Sequence, residues 1–288
     1  MILPAITSPE AMCDAIRSAG IIPFFRGPVP GFSIEELTPP EHWFYSSDEL
    51  GPWDWKIAAV QSGDIAYGKF LCGGKAAFAT IEWYAHLRNW RLSLPEFRPD
   101  SAGVEVLRLA AEQGSVSSAD IRHLLNLKKA AADAVSSRLM HQCRLVIGDI
   151  ERVYRGPSLK YSGWQHCSFC TPEALFSADV APVGEVAPPS GVRPSGVRPS
   201  GVCPSGSPHH PFGTVPPLSH RGCDVPQGEH LPDSPSPAPL LFGGFSPFSA
   251  DDPLDVGCSP QESLAALLNH LRELLPSVSD AALMRLLR

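Results

Sequence analysis

Lys128-Lys-Ala-Ala-Ala-Asp-Ala-Val-Ser-Ser-Arg-Leu-Met-His141, followed by Arg144-Leu-Val-Ile-Gly-Asp-Ile-Glu151 and Arg152-Val-Tyr-Arg-Gly-Pro-Ser-Leu-Lys160, decides how this chain is read. In the first run Ala131, Val135 and Leu139 recur four apart, so they share the inner face of a helix and leave Lys128, Lys129, Ser136, Ser137 and Arg138 nearer solvent. The next two runs, with Tyr161-Ser-Gly-Trp-Gln-His-Cys-Ser-Phe169, read as a strand, a basic turn containing Gly156-Pro157, and a returning strand. Upstream, Val104–Glu112 carries apolar residues at Val104, Leu107, Leu109 and Ala111 and stops at Gly114. Ser117 or Ser118 can cap a second helix through Leu125, with Ile121, Leu124 and Leu125 inward and Asn126-Leu127 as a short turn. Three short helices followed by a basic hairpin is the pattern of a winged helix-turn-helix, here over residues 104–177.

Charge gives this segment its chemistry. The chain has a net charge of −7, yet residues 117–164 carry 8 basic and 4 acidic groups whereas residues 1–116 carry 9 and 14. A globally acidic protein has no long-range pull on a polyanion, so contact with double-stranded DNA must rest on the local patch. The third helix would then enter the major groove, with Lys128, Lys129 and Arg138 near phosphates and Arg152, Arg155 and Lys160 reaching the backbone from the wing. If about four or five phosphates are neutralised, log K falls with log salt with a slope of roughly −4. Because the third helix is rich in alanine, few of its side chains can read base edges, and a wing that docks a protein partner stays open as an alternative.

Outward from that segment, 15 of the 24 Phe, Trp and Tyr residues lie in residues 1–100, which marks an ordered, aromatic-rich mixed region over residues 1–103. Within it Ile65–Leu71 and Ala76–Trp83 are rich in strand formers and flank Cys72-Gly-Gly-Lys75, a β-hairpin in which Trp83, Tyr84 and Trp90 serve as core. Residues 178–258 hold 17 of the 31 prolines, no Trp or Tyr, and repeats of Pro-Ser-Gly-Val-Arg, the composition of a disordered linker. Order resumes at residue 259: Ser259-Pro-Gln-Glu262 has the parts of a capping box, and leucines at helical spacing run to Pro276. Ser279 can cap a second helix, giving a C-terminal helical hairpin over residues 259–288 that docks on the N-terminal body or on a partner. The fold class is α+β.

Candidate chemistry is sparse. Trp53-Asp54-Trp55-Lys56 offers two rings and a carboxylate. On a strand the tryptophans would share one face and Asp54 and Lys56 the other; on a loop they could converge; in the blander reading the rings are core and the charges are on the surface. Glu35, Glu36, Glu49 and Glu82 are weaker carboxylate candidates. His166-Cys-Ser-Phe-Cys170 has zinc-like spacing, but only His141 and Cys143 could complete four ligands, so no metal is expected, and His209-His210 lies in the linker. No Walker-type loop, dinucleotide fingerprint or nucleophile elbow is present, and no cofactor is expected. The eight cysteines are irregularly spaced and read as reduced thiols, and no run of 18 apolar residues or secretory signal occurs, so a cytoplasmic protein with no membrane partner is expected.

Several stretches resemble the AlkZ-related family, short bacterial relatives of the AlkZ-type winged-helix DNA glycosylases. They are Gly20-Ile-Ile-Pro-Phe-Phe25, Pro30-Gly-Phe-Ser-Ile-Glu-Glu36, Trp43-Phe44, Gly51-Pro-Trp-Asp-Trp-Lys56, Ala66-Tyr-Gly-Lys-Phe70, Lys75-Ala-Ala-Phe78, Glu82-Trp83 and Thr171-Pro-Glu173. The resemblance spans residues 1–177 and the last 30 residues. It implies a DNA-binding, repair-linked protein, and the larger glycosylases cut the bond between a damaged base and its sugar with a Gln-x-Gln signature. Relatives show Gln-Met-Gln where this chain has Met140-His-Gln142, and Glu where it has Leu50. A glycosylase would use Asp54 for attack and Trp53 and Trp55 for stacking the extruded base. Three functions are therefore carried forward: winged-helix DNA binding, excision of alkylated bases, and a protein-interaction scaffold using the wing or the C-terminal helices.

Overall fold

The computed structural model describes residues 3–43, 50–176 and 252–288. The chain opens with α1 (Pro9–Ala19), whose N-terminus is closed by Ser8: its hydroxyl accepts from Ala11 N at 3.1 Å, and Pro9 occupies the first turn, where no amide partner is needed. Gly20 ends the helix at φ 69, packed so tightly that a Cβ there would lie 2.3 Å from the Trp83 ring. Next come β1 (Ile21–Pro23), the one-turn α2 (Ile34–Leu37), α3 (Pro52–Gln61), β2 (Ile65–Leu71), β3 (Lys75–Thr80) and α4 (Ile81–Leu92). The strands form an antiparallel sheet of order β1-β3-β2, with the β2–β3 turn carried by positive φ at Cys72, Gly73 and Gly74.

The expected hairpin is present, but its second strand stops at Thr80 rather than Trp83. From Ile81 the chain is helical, because Tyr84, Leu87 and Arg91 at helical spacing bury one face. Tyr84 and Trp90 are core as expected, and Trp83 packs at the edge of it. A second correction concerns Trp53-Asp54-Trp55-Lys56, which is neither strand nor loop but the first turn of α3. Gly51 precedes it at φ 58, with the carbonyl of His42 occupying the space of any Cβ, and Pro52 starts the helix. On a helix Asp54 and Lys56 both turn inward, only 4% and 6% exposed, so they are not surface charges.

The second half runs α5 (Ser101–Gln113), β4 (Val116–Ser117), α6 (Ser118–Leu125), α7 (Lys129–His141), β5 (Val146–Arg155), β6 (Lys160–Cys170) and α8 (Pro172–Phe176). Strand order is β4-β6-β5, all antiparallel. Ser117 and Asp120 form a capping box for α6, and Asn126 closes it in the left-handed conformation. The burial phase differs from the expected one. In α5 the buried stripe is Gly103, Val106 and Ala110, and in α7 it is Ala132, Val135, Ser136, Leu139 and Met140, so Ala131 faces solvent and Ser136 does not. The strand expected to end at Glu151 continues to Arg155, and the turn is Gly156–Leu159.

One hydrophobic core runs through both halves, joining Phe24, Phe70 and Phe78 to Val106, Leu139 and Val146, so residue 103 marks no break in packing. The C-terminal α9 (Pro260–Leu274) and α10 (Asp280–Leu287) pack on this body, the first of the two dockings expected for them. Ser259 and Glu262 close the capping box, His270 stacks on Trp83 at 3.8 Å, and Asn89 donates to Cys258 O and Ser263 Oγ, each at 2.9 Å. Buried Arg91 donates to the carbonyls of His141 and Leu287, and Cys72 N donates to Leu286 O at 2.9 Å. Of the stretch expected to be linker, residues 252–258 are described, and Leu254 among them is buried. The rest of the expected linker, including His209 and His210, lies outside the described residues, as does Glu49. No helix among the described residues is long and apolar enough to cross a membrane.

Candidate nucleic-acid interface

The β5–β6 hairpin is held against the start of α3 by one carboxylate. Asp54 Oδ1 accepts from Tyr161 Oη at 2.6 Å and from Gln165 Nε2 at 3.0 Å, and Arg152 Nε lies 3.6 Å away. Asp54 Oδ2 accepts from the backbone N–H of Leu50 at 3.0 Å, a helix-start closure that its position in the first turn of α3 makes available. Gln165 also donates to Trp53 O at 2.9 Å, and the Arg152 guanidinium lies over the Tyr161 ring at 5.2 Å. Burial, then the bond to Asp54, pushes the Tyr161 hydroxyl above its ordinary value, so it is a donor at neutral pH. Beside this network opens a cleft of about 690 Å³ whose walls include Asp54, Trp55, Gln61, Arg152 and Tyr154.

The tryptophans of the same turn are less available. Trp55 is buried, and Trp53 is packed by Phe24 at 5.5 Å and Phe25 at 5.7 Å, with Lys56 Nζ 4.6 Å above its ring. Burial pushes the Lys56 ammonium below its ordinary value, against the opposing pull of the neighbouring Cys167 and Asp54, and the aromatic bed favours its charged form.

Beyond Asp54 the hairpin projects its side chains into solvent. Tyr154, Leu159 and Trp164 are 52%, 70% and 61% exposed, and the Arg155 guanidinium lies 5.5 Å over the Trp164 ring. Lys160 pairs with Arg155 across the strands. In the sequence Tyr154 falls in the expected basic turn and Tyr161, Trp164 and Gln165 in the returning strand, with no site role. An exposed aromatic beside arginine on a hairpin was the available signal for the tip, but no local signal tied Tyr161 and Gln165 to Asp54, more than a hundred residues away.

The six expected phosphate cations divide into two sets. Lys129 is paired with Asp133 at 2.5 Å, Arg138 with Asp100 at 2.7 Å, and Arg152 with Asp54. Among the described residues no carboxylate pairs Lys128, Arg155 or Lys160, and all three are exposed. On α7 the outward positions between these charges are Ala130, Ala131 and Ala134. Of the weaker carboxylates, Glu35 accepts from Arg26 N, Glu36 binds Ser33 Oγ, and Glu82 is exposed. Cys167 and Cys170 lie in β6, where burial raises both thiols, Cys170 to about 12, and no group of three His, Cys, Asp or Glu that could hold a metal ion occurs among the described residues.

The model of the family described as AlkZ related matches residues 6–189. The chain belongs to the AlkZ-related family. Comparison with curated proteins and with solved structures gives no match. In this member of the family the Met140-His-Gln142 stretch closes α7 from inside. Gln142 is buried and donates to Arg98 O at 3.0 Å, and His141 Nε2 contacts Arg288 O at 2.7 Å. Gln142 lies in the core and is not among the residues that line the cleft beside Asp54. Membership suggests a DNA-repair-related function.

Proposed function

We propose that this AlkZ-related protein binds double-stranded DNA without sequence preference, through a winged helix made of α5, α6, α7 and the β5–β6 hairpin, in the service of DNA repair. The observation that carries the reading is the hairpin tip, where unpaired Arg155 and Lys160 stand beside exposed Trp164, Tyr154 and Leu159. Cations without counter-ions are the ones that release condensed ions from DNA, and exposed rings beside them can pack against sugar or an unstacked base. Alanine at the outward positions of α7 supplies no hydrogen-bonding group for base edges, which favours backbone binding over a coded site. The test is fluorescence anisotropy with two labelled duplexes of unrelated sequence. Equal affinities for both, lost together on Arg155→Ala/Lys160→Ala, support the reading; no binding at low salt ends it.

A second reading is favoured by the cleft beside Asp54. In it an alkylated base is extruded into that space, the base departs with the electron pair of its bond to the sugar, Asp54 stabilises the resulting cation, and a water molecule adds to the sugar carbon and loses a proton to solvent. With three donors and an arginine already around it, the carboxylate would act by its charge rather than by taking a proton. It requires abasic sites to accumulate in alkylated duplex and to cease with Asp54→Asn; binding without excision leaves only the first reading. A protein partner docked on the wing in place of DNA would bind with indifference to salt and to added DNA.

A further inference from the structure

Among the described residues the large hydrophobic side chains left exposed to solvent are Tyr154, Leu159 and Trp164, and all three lie on the β5–β6 hairpin. Scattered singly they would need no account; gathered at one projecting end they form an apolar tip. The tip is held from below. Pairing continues as far as Arg155 opposite Lys160, the Tyr154 and Tyr161 rings lie 5.9 Å apart, and the Tyr161 hydroxyl donates to Asp54 of α3 at 2.6 Å. At the apex the backbone N–H of Leu159 donates to Gly156 O at 3.1 Å and closes the turn.

Leu159 is the residue that folding explains least. Its φ of 48 lies in the left-handed region, where a bulky side chain is strained and a glycine is not. Its side chain is also the most exposed of the three, so burial does little to offset that strain. A strained backbone beneath an exposed apolar side chain points to use by a partner rather than to stability.

The charges beside the apex narrow the partner. Arg155 lies over the Trp164 ring at 5.5 Å, Lys160 follows Leu159 directly, and no carboxylate engages either cation among the described residues. A continuous duplex gives the two cations their phosphates but gives the tip no apolar surface, because its bases are stacked face to face and its grooves present polar edges. A position that has lost its base offers both. Phosphates lie on either side of it, and the gap between the neighbouring base pairs is walled by two apolar faces.

We infer that the hairpin tip recognises double-stranded DNA at a position that lacks its base, with Leu159 entering the vacancy, Trp164 supplying a stacking face, and Arg155 and Lys160 holding the flanking phosphates. The inference rests on the DNA-binding reading and names the substrate class for it. Loss of a base from its sugar is the class of reaction that supplies such DNA, and the recognition is the same whichever protein performs that reaction.

The test is competition anisotropy on the full chain with three duplexes of one sequence: intact, carrying a single tetrahydrofuran residue in place of one nucleoside, and nicked at that place with every base present. The tetrahydrofuran duplex should bind about 5- to 150-fold more tightly than the intact one, the range that one base–aromatic stack supplies. The nicked duplex should bind like the intact one. Leu159→Gly and Trp164→Ala should each bring the ratio of the two affinities towards one, and Leu159→Gly should leave the urea midpoint unchanged or higher, which separates lost recognition from a lost fold. Lys160→Ala removes charge alone, so it should weaken both duplexes by a common factor and keep the ratio. Equal wild-type affinities for the intact and tetrahydrofuran duplexes, full preference kept by both tip variants, or a nick bound as tightly as the missing base would overturn the inference and leave the DNA-binding reading standing. No binding to any of the three would end both.

Discussion

The division of the basic patch into free and paired cations can be tested by salt. A cation already held by a carboxylate brings that carboxylate's repulsion to the phosphate, so only Lys128, Arg155 and Lys160 should count fully as phosphate neutralisers. With about three phosphates neutralised, the slope of log K against log salt is about −2.7, and a fourfold rise in salt weakens binding about 40-fold. With all six cations engaged the slope would be about −5.4 and the loss about 1,800-fold, so the two cases are easily told apart. The assay is anisotropy of a labelled duplex at four or more salt concentrations, on the wild type, on Arg155→Ala/Lys160→Ala, and on Lys129→Ala/Arg138→Ala. The first double variant should lower the magnitude of the slope by about 1.8, and the second should leave it nearly unchanged. A wild-type slope near −5, or a second double variant as damaging as the first, would refute the argument from ion pairing.

Tyr161→Phe removes one donor from a buried carboxylate and should cost about 1–3 kcal/mol of unfolding free energy by urea titration; no measurable cost would mean that Asp54 does not hold the hairpin. Leu271→Ala, in the buried face of α9, should cost about 2–5 kcal/mol and expose α4 to proteolysis, whereas a smaller effect would mean that the C-terminal helices are loosely held. Burial holds His141 below its ordinary value, as it does His86, so the folded state favours the neutral rings. Their contribution is complete above the unfolded value of about 6.5 and is lost as pH falls from there through the depressed folded value. The urea midpoint should therefore drop between pH 7.5 and pH 5, and His141→Gln should flatten part of that drop; an unchanged pH profile in the variant would remove His141 from the account.

Legibility in the sequence followed the range of the interaction that fixes each feature. Ser259-Pro-Gln-Glu262 and Ser117 with Asp120 are closed by bonds within three residues, and their helices start where the residues say. The Gly73-Gly74 turn is equally local. Trp53-Asp54-Trp55-Lys56 was harder because its aromatic and charged residues suit several local structures. Gly51-Pro52 was in fact a helix-start signal, but the burial of Asp54 is made possible by Tyr161 and Gln165 of β6, which no local pattern connects to it. The buried face of α5 is shifted by one position from the expected one, and in α7 Val135 and Leu139 are buried as expected while Ala132 replaces Ala131, for a similar reason. Small residues such as Gly103, Ala110, Ala132 and Ser136 were bypassed in favour of larger apolar neighbours, yet close helix packing buries the small ones. The pairing of Lys129 with Asp133 was legible as an i,i+4 contact; that of Arg138 with Asp100 was not, because it joins two helices across the fold.

The two departures from the family pattern bear differently on chemistry. Leu50, where the resemblance implies Glu, gives its backbone N–H to Asp54, a bond that does not depend on the side chain at that position. Gln142, the glutamine that is retained, has its amide N–H donated to Arg98 O, while its own Oε1 is buried without a partner. A side chain fixed in that way cannot swing to a sugar without breaking the end of α7, and His141, beside it, is engaged with Arg288 O. On the excision reading, Asp54 beside the cleft rather than Gln142 is therefore the proposed acting group. Gln142→Ala should then lower stability without changing the rate of base release per folded molecule, whereas Asp54→Asn should lower that rate. An excision activity abolished by Gln142→Ala in protein that remains folded would reverse this assignment and return the chemistry to the helix end.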